Sequence, residues 1–235
     1  MSGSADVIAT LREVSTATIT TILPKKGIRR TYMLGPKPLR AEQLRIVGPA
    51  FTLRFVPARE DLATPESWAS PRSTRAAIEE MPEGVIAVNE ARGLTEAAIF
   101  GDILAARMVK RGVTGMVTDG TVRDGIGVLA TGLPVWCAGS AAPASVAGHT
   151  FVGWQEPIGC GGVAVFPGDM IVADGDGAVV IPQALVEEVA RLAPDQEHFE
   201  NWAAAEVQRG AALPGLYPPN DATRARYEAE KKKGR

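Results

Sequence analysis

Residues 101–125 read GDILAARMVKRGVTGMVTDGTVRDG, and the fold reading turns on them. The first twelve have helical spacing and stop at Gly112. VTGMVTD (113–119) is an apolar run with the character of a buried strand. Beyond it Arg123 and Asp124 stand side by side. Adjacent opposite charges just past a core strand are expensive to place, so they are expected to hold something. On either side the pattern repeats. GVIAVNE (84–90) reads as a strand, RDGIGVLATG (123–132) as a short helix and LPVWCAG (133–139) as a third strand. Strands alternating with helices imply a parallel sheet with right-handed crossovers.

The flanks add other material. ADVIATLREV (5–14) and STATITTIL (15–23) predict two short helices, closed by PKKGIRR (24–30). GPAFTLRFVP (48–57) alternates Phe51, Leu53 and Phe55 and predicts a strand. ATPESWASPRS (63–73) reads as a loop, and STRAAIEEM (73–81) as a helix capped by Ser73 or Thr74. From His149 to Pro182, short apolar runs between glycine-rich turns predict an antiparallel β-layer. Within it, DGDG (174–177) reads as a tight turn and GCGG (159–162) as a bulge or close strand crossing. A long helix over 182–210, broken near Pro194, precedes a polar tail. The expectation is one α/β domain over 1–217 with a β-rich second layer, and a flexible tail over 218–235.

Composition narrows the classes. Hydrophobic residues make up 46% and charged residues 22% of 235, the balance of a soluble globular chain. A net charge of −2 provides no basic field for nucleic acid. No stretch approaches a membrane span, and the N-terminus carries charges where a signal peptide needs an apolar core. Cys137 and Cys160 form no metal-type pair and read as small buried hydrophobes. The expected compartment is the reducing cytoplasm.

Ligands of open α/β sheets sit where strands end and helices begin. Two such junctions fall close together here. At the first, Gly101-Asp102 opens a helix, with Asp102 as its cap and the Ile103 and Leu104 amides free to face an anion. At the second lie Asp119 to Asp124. In neighbouring parallel strands both would share one edge. That edge offers two carboxylates, a guanidinium able to grip a carboxylate with two parallel hydrogen bonds, and backbone donors. An aspartate there can hold Mg²⁺, which needs few protein ligands. Such a set would bind a 2-oxo acid and stabilise an enolate. The plainer alternative is a helix cap at Asp102 and a charged turn at Arg123–Asp124. His149 and His198 are the only histidines and support no Ser-His-Asp set, so any proton transfer is expected to use water in a metal's shell.

Asp102, twenty intervening residues, then Arg123-Asp124 resembles the D-x20-R-D signature of class II 4-hydroxy-4-methyl-2-oxoglutarate aldolases, within the RraA-like proteins. The similarity runs from about Gly48 to Pro182 and includes GLPVW and PGDMIVADGDGAVVIP. The resemblance implies a swivelling β/β/α-type sandwich and a divalent metal, Mg²⁺ or Mn²⁺, at Asp124 with Asp102 supporting its water shell. It implies that Arg123, Gly101 and the Ile103 and Leu104 amides hold the pyruvate moiety. It also implies a homotrimer or dimer of trimers, with an acid from a neighbouring subunit, Glu197 or Glu200, at the site. The implied reaction cleaves a 4-hydroxy-2-oxo acid to pyruvate plus an aldehyde or oxo acid, with oxaloacetate decarboxylation as a side activity. Similar proteins that inhibit ribonuclease E lack the first aspartate, so Asp102 separates the enzyme from a non-catalytic trimeric regulator. The segment from Arg59 to Val85 is longer than in the compact aldolases. It raises 2-oxo-3-deoxy sugar acids as substrates, with Arg59, Ser67, Ser70 or Arg72 meeting their hydroxyls, and a sugar-acid hydro-lyase as a further alternative.

Overall fold

One strand, β2 (Ile46–Pro57), pairs with three others in the main sheet. Its alternating apolar side chains leave both faces buried, and at twelve residues it is long enough to pair differently along its length. A computed structural model describes residues 2–233 of the chain. Ahead of β2 come α1 (Ser2–Arg12), α2 (Thr16–Ile22), a 3-10 turn at Leu23–Lys26 and β1 (Lys37–Pro38). After it follow α3 (Thr74–Glu80), β3 (Ile86–Asn89), α4 (Asp102–Lys110), β4 (Gly115–Thr118), α5 (Gly125–Thr131) and β5 (Val135–Cys137). The remainder is β6 (His149–Trp154), β7 (Ile158–Cys160), β8 (Val163–Val165), β9 (Met170–Asp174), β10 (Gly177–Ile181), α6 (Val186–Gln208) and α7 (Asp221–Lys233).

The main sheet runs β1-β5-β4-β3-β2-β9-β10, with β6 also on β2. β2, β3, β4 and β5 are parallel, as the strand–helix alternation predicts. β9 lies antiparallel along Ile46–Pro49 of β2, and β6 antiparallel along Leu53–Pro57. The stretch between α2 and β1 nearly closes the sheet. The Met33 amide donates to the Ala178 carbonyl and the Val180 amide to Thr31, each at 2.9 Å, before β1 pairs with β5. The architecture is the expected mixed α/β sandwich with a second small sheet, but the strands are shared out differently. β6 and β9 complete the main sheet along β2, and β10 joins it through β9. Only the β7–β8 hairpin stands apart.

Three apolar clusters pack on the main sheet. Phe51, Leu53 and Phe55 face α3 and α4 through Ala77, Ile78, Ala105 and Met108. The opposite face curls around Met33, Val88, Val117, Trp136 and Ile171, with Ile158, Cys160, Val163 and Val165 of the hairpin filling one end. Trp136 is fully buried there, and its indole N–H donates to the Asp174 carbonyl at 2.7 Å. The hairpin turn passes close to the chain ahead of β1: a Cβ on Gly161 would lie 2.5 Å from the Leu34 backbone, the close crossing that GCGG suggested. The third cluster packs α1, α2 and α6 on β9 and β10.

Two further features differ from the sequence reading. α6 runs through Pro194 unbroken. The missing N–H is offset by packing on both sides of it, through Val189, Ala190 and Ala193, then Phe199 and Ala203. The polar segment from residue 218, expected to be a flexible tail, forms α7 over Asp221–Lys233; residues 234 and 235 lie outside the described residues. Tyr227 explains this. It is 4% exposed, packs its ring on Phe199 and Trp202, and shares its hydroxyl with His198 and Asp195. A single aromatic anchor hides in an otherwise charged sequence.

Asp119, just past β4, is 6% exposed and accepts from the amides of Ala91 (2.7 Å), Gly93 (3.0 Å) and Gly161 (3.1 Å). It ties the ends of three loops. Asp119→Ala therefore strands three donors and is expected to destabilise the fold by about 3 kcal/mol or more, read as a lowered denaturation midpoint; an unchanged midpoint would contradict this role. Tyr227→Ala is expected to act locally. Amide protection along α7 should vanish while β2 to β5 keep theirs, and retained protection in α7 would show that another contact holds it.

Candidate active site

Beyond β3 and β4 the chain keeps its parallel course. Ala98 bridges Thr121, the Ile99 amide donates to the Thr121 carbonyl at 2.9 Å, and the Arg123 amide to the Phe100 carbonyl at 3.0 Å. These bonds carry both loops to the same point. Gly101, Asp102, Ile103 and Leu104 of one junction and Arg123 and Asp124 of the other line a single cleft of about 220 Å³. Every residue expected to hold the pyruvate moiety is thus brought together.

The local geometry refines the expected roles. The cap of α4 is Gly101, one residue earlier than expected, and Asp102 is the first helical residue. Its Oδ1 accepts from the Ile103 amide at 2.7 Å, so that donor is occupied by Asp102 itself. A carboxylate at this position folds onto its own neighbour's N–H, which is the closest positive group available. Gly101 is not there for a strained turn, since φ −130° and ψ −167° suit any residue. Space is the reason. A Cβ on Gly101 would lie 3.0 Å from both Arg123 Cγ and Asp124 Oδ2. Gly127 does the same for the other acid, since a Cβ there would lie 2.8 Å from Asp102 Oδ2.

Asp124 takes the left-handed conformation, φ 52° and ψ 42°, one that aspartate tolerates better than most residues. Its carbonyl accepts the first bond of α5, from the Val128 amide at 2.8 Å. Its Oδ2 pairs with Arg123 Nε at 3.0 Å, and both side chains stay 42% to 48% exposed. Carboxylates and guanidinium therefore face solvent in the cleft, reachable by a small molecule.

A divalent cation can be tested against this set. Among the described residues no cluster of three or more histidine, cysteine or acidic side chains is poised for a metal. That arrangement does not suit zinc, which wants three or four protein ligands. It does suit a hard cation that keeps most of its waters and takes one or two carboxylates. Gly101 and Gly127 are the positions that let the Asp124 and Asp102 carboxylates sit at the cleft.

The other candidates lie elsewhere. Glu197 accepts from the Ser15 hydroxyl and amide at 2.8 and 3.1 Å, and Glu200 from the Thr18 hydroxyl at 2.9 Å. Within one chain both clamp α2 onto α6. Arg59 pairs with Asp61 and Arg72 with Glu156, and neither they nor Ser67 or Ser70 line the cleft. Ser67 and Arg72 border a smaller neighbouring cavity of about 40 Å³. The long segment does reach the site, but through Trp68, Thr74 and Arg75. An aromatic residue set in a Pro- and Ser-rich loop was the available signal for Trp68. Burial raises the thiol pKa of Cys137 and Cys160, which stay protonated, and burial lowers that of His149, which stays neutral.

The RraA-like family pattern (Aldolase/RraA) matches residues 16–180. A Halalkalibacterium halodurans protein named "Putative 4-hydroxy-4-methyl-2-oxoglutarate aldolase" is 36% identical over 162 residues, 68% of this chain and 70% of its own length. The protein DlpA of Legionella pneumophila is 31% identical over 157 residues, 67% of this chain but only 24% of that longer protein. Among solved structures, Streptomyces coelicolor RraAS2, described as an unusual member of the RNase ES inhibitor RraA protein family, superposes with a TM-score of 0.75. It shares 36% identity, covering 84% of this chain and 95% of that one. The chain belongs to the RraA-like family.

Proposed function

We propose that the protein is a divalent-metal-dependent lyase that cleaves a 4-hydroxy-2-oxo acid to pyruvate and a second carbonyl product. The observation that carries this reading is the convergence of Asp102, Arg123 and Asp124 on one cleft. A relative matched over 70% of its own length is named "Putative 4-hydroxy-4-methyl-2-oxoglutarate aldolase", which supports the same class.

The residues divide the work by chemistry. The Arg123 guanidinium, planar and always charged, grips the substrate carboxylate, and the start of α4 adds backbone donors from its first turn. Binding an anion there competes with Asp124 for Arg123, so the Arg123–Asp124 pair opens as substrate enters. Asp124 would hold Mg²⁺ or Mn²⁺, with Asp102 orienting its waters, and the cation would stabilise the negative charge that develops on the keto oxygen. In the cleavage the C4 hydroxyl loses its proton, the C3–C4 bond breaks, and its electron pair passes into the pyruvate enolate, which is then protonated at C3. No histidine or cysteine lines the cleft among the described residues, and those protons would pass through the water that Asp102 orients. Oxaloacetate reaches the same enolate by losing CO₂, which makes its decarboxylation the expected side activity.

Ile103 and Ile126 stand beside this site 80% and 88% exposed. Large aliphatic side chains left so open support a homotrimer or dimer of trimers in which a second copy packs over the cleft. The second reading is a regulator that docks on a ribonuclease, favoured by the likeness to RraAS2. A regulator has no use for two carboxylates kept open by two glycines, so we place it second.

Pyruvate release from a panel of 4-hydroxy-2-oxo acids and from oxaloacetate distinguishes the readings. Asp124→Ala is expected to lose about a thousandfold or more in kcat/KM, several kcal/mol of transition-state stabilisation. Arg123→Ala should lose roughly ten- to a hundredfold. Both should keep the wild-type circular dichroism spectrum. A chelator should silence the wild type, and added Mg²⁺ or Mn²⁺ should restore it. Full turnover in Asp124→Ala would remove the metal from the mechanism, and silence across the panel would favour the docking protein.

A further inference from the structure

The cleft has a wall that the pyruvate half of the reaction leaves unused. Trp68 sits on a 3-10 turn, Pro65–Ala69, steadied by the Ser67 hydroxyl donating to the Thr64 carbonyl at 2.6 Å. Arg75 lies in the first turn of α3, whose cap Ser73 accepts from the Ala76 amide at 3.3 Å. The Arg75 guanidinium stacks on the Trp68 ring, 4.6 Å from its centroid. Both residues line the same cleft as Asp102, Arg123 and Asp124.

Arg75 differs from the other arginines nearby. Arg54, Arg59, Arg72, Arg107 and Arg123 each have a carboxylate partner. Among the described residues Arg75 has neither an ion pair nor a hydrogen bond to its guanidinium. Partial burial with no anion to offset it pulls its pKa below the ordinary arginine value, though it stays charged. Stacking on an aromatic face fixes its plane and leaves its N–H edge free for a bidentate acceptor.

Charge balance identifies that acceptor. The ionised groups lining the cleft are Asp102, Asp124, Arg75 and Arg123, which sum to zero. With the divalent cation of the preceding section the cleft carries two positive charges, which a dianion neutralises. Without Arg75 it would carry one, matched to a simple monoacid. Resting on that lyase reading, we propose that Arg75 on its Trp68 platform is the specificity-determining residue of the cleft. It grips a second carboxylate at the far end of a 2-oxo diacid. The hydroxyl-rich tail of a sugar acid has no comparable partner here, since Arg59 and Arg72 are already paired and lie outside the cleft.

Calorimetry with 2-oxoglutarate and pyruvate in the presence of Mg²⁺ tests this apart from turnover. Neither probe carries a 4-hydroxyl to cleave, and they differ by the distal carboxylate. The wild type is expected to bind 2-oxoglutarate roughly ten- to a hundredfold more tightly than pyruvate, the size of one charge-assisted pair. In Arg75→Met that ratio should collapse toward one, and Trp68→Leu should lower it part of the way. Arg59→Met, an exposed arginine of the same segment, should leave it unchanged. A wild-type ratio near one, or a ratio that survives in Arg75→Met, overturns the assignment, and so does failure to bind either acid. A ratio that depends on Arg75 in a protein with no aldol cleavage would uphold it while the lyase reading fell.

Discussion

Everything at the site depends on β3 and β4 staying in register past their ends. A parallel pair normally separates where its strands give way to helices. Here the bridge at Ala98–Thr121 and the bond from the Arg123 amide to Phe100 extend the pairing into the loops. Asp119 reinforces this from below by taking the amides of Ala91, Gly93 and Gly161. The starts of α4 and α5 are therefore locked together by backbone bonds, which are indifferent to side-chain identity. The side chains at the junction are then free to be chosen for chemistry.

Two glycines complete the arrangement by omission. Gly101 has ordinary extended angles, and Gly127 lies within α5, so neither answers to backbone conformation. Each leaves the room a carboxylate oxygen requires. A methyl group at either place would crowd Asp124 or Asp102 directly. Helices usually disfavour glycine, so Gly127 in the first turn of α5 marks a position where space outweighs helical propensity.

The alternation of strands and helices from Val85 to Cys137 was plain in the sequence because each buried strand is a short continuous apolar run between turn residues. The convergence of Asp102 with Arg123–Asp124 followed from parallel neighbours sharing an edge. Other features depended on contacts distant in sequence. β9 joins β2 across more than a hundred residues, and no local pattern distinguishes that pairing from a separate layer. α7 turns on one tyrosine in a run of charges, whose composition resembles a solvated tail. In the long segment, charge and hydroxyl content drew attention to Arg59, Ser67, Ser70 and Arg72. Yet the first and last are neutralised by Asp61 and Glu156, and the residues that reach the cleft are Trp68 and Arg75. Which arginine is free cannot be read without knowing which acids fold against it.

The energetics of the Arg123–Asp124 pair favour a functional explanation over a structural one. Two side chains nearly half exposed gain about 0–1 kcal/mol from pairing across water. The left-handed backbone of Asp124 costs a comparable amount, on the order of 1 kcal/mol. Stability alone would replace the pair with a glycine and a neutral residue and lose nothing. What the pair provides is readiness: an ion pair this weak opens when a better anion or cation arrives on either partner. Arg75 fits the same logic from the opposite wall, where an aromatic platform takes the place of an acid and the charge stays uncommitted. A cleft whose charges are either loosely paired or unpaired is arranged to exchange its own contacts for those of a small, doubly charged guest.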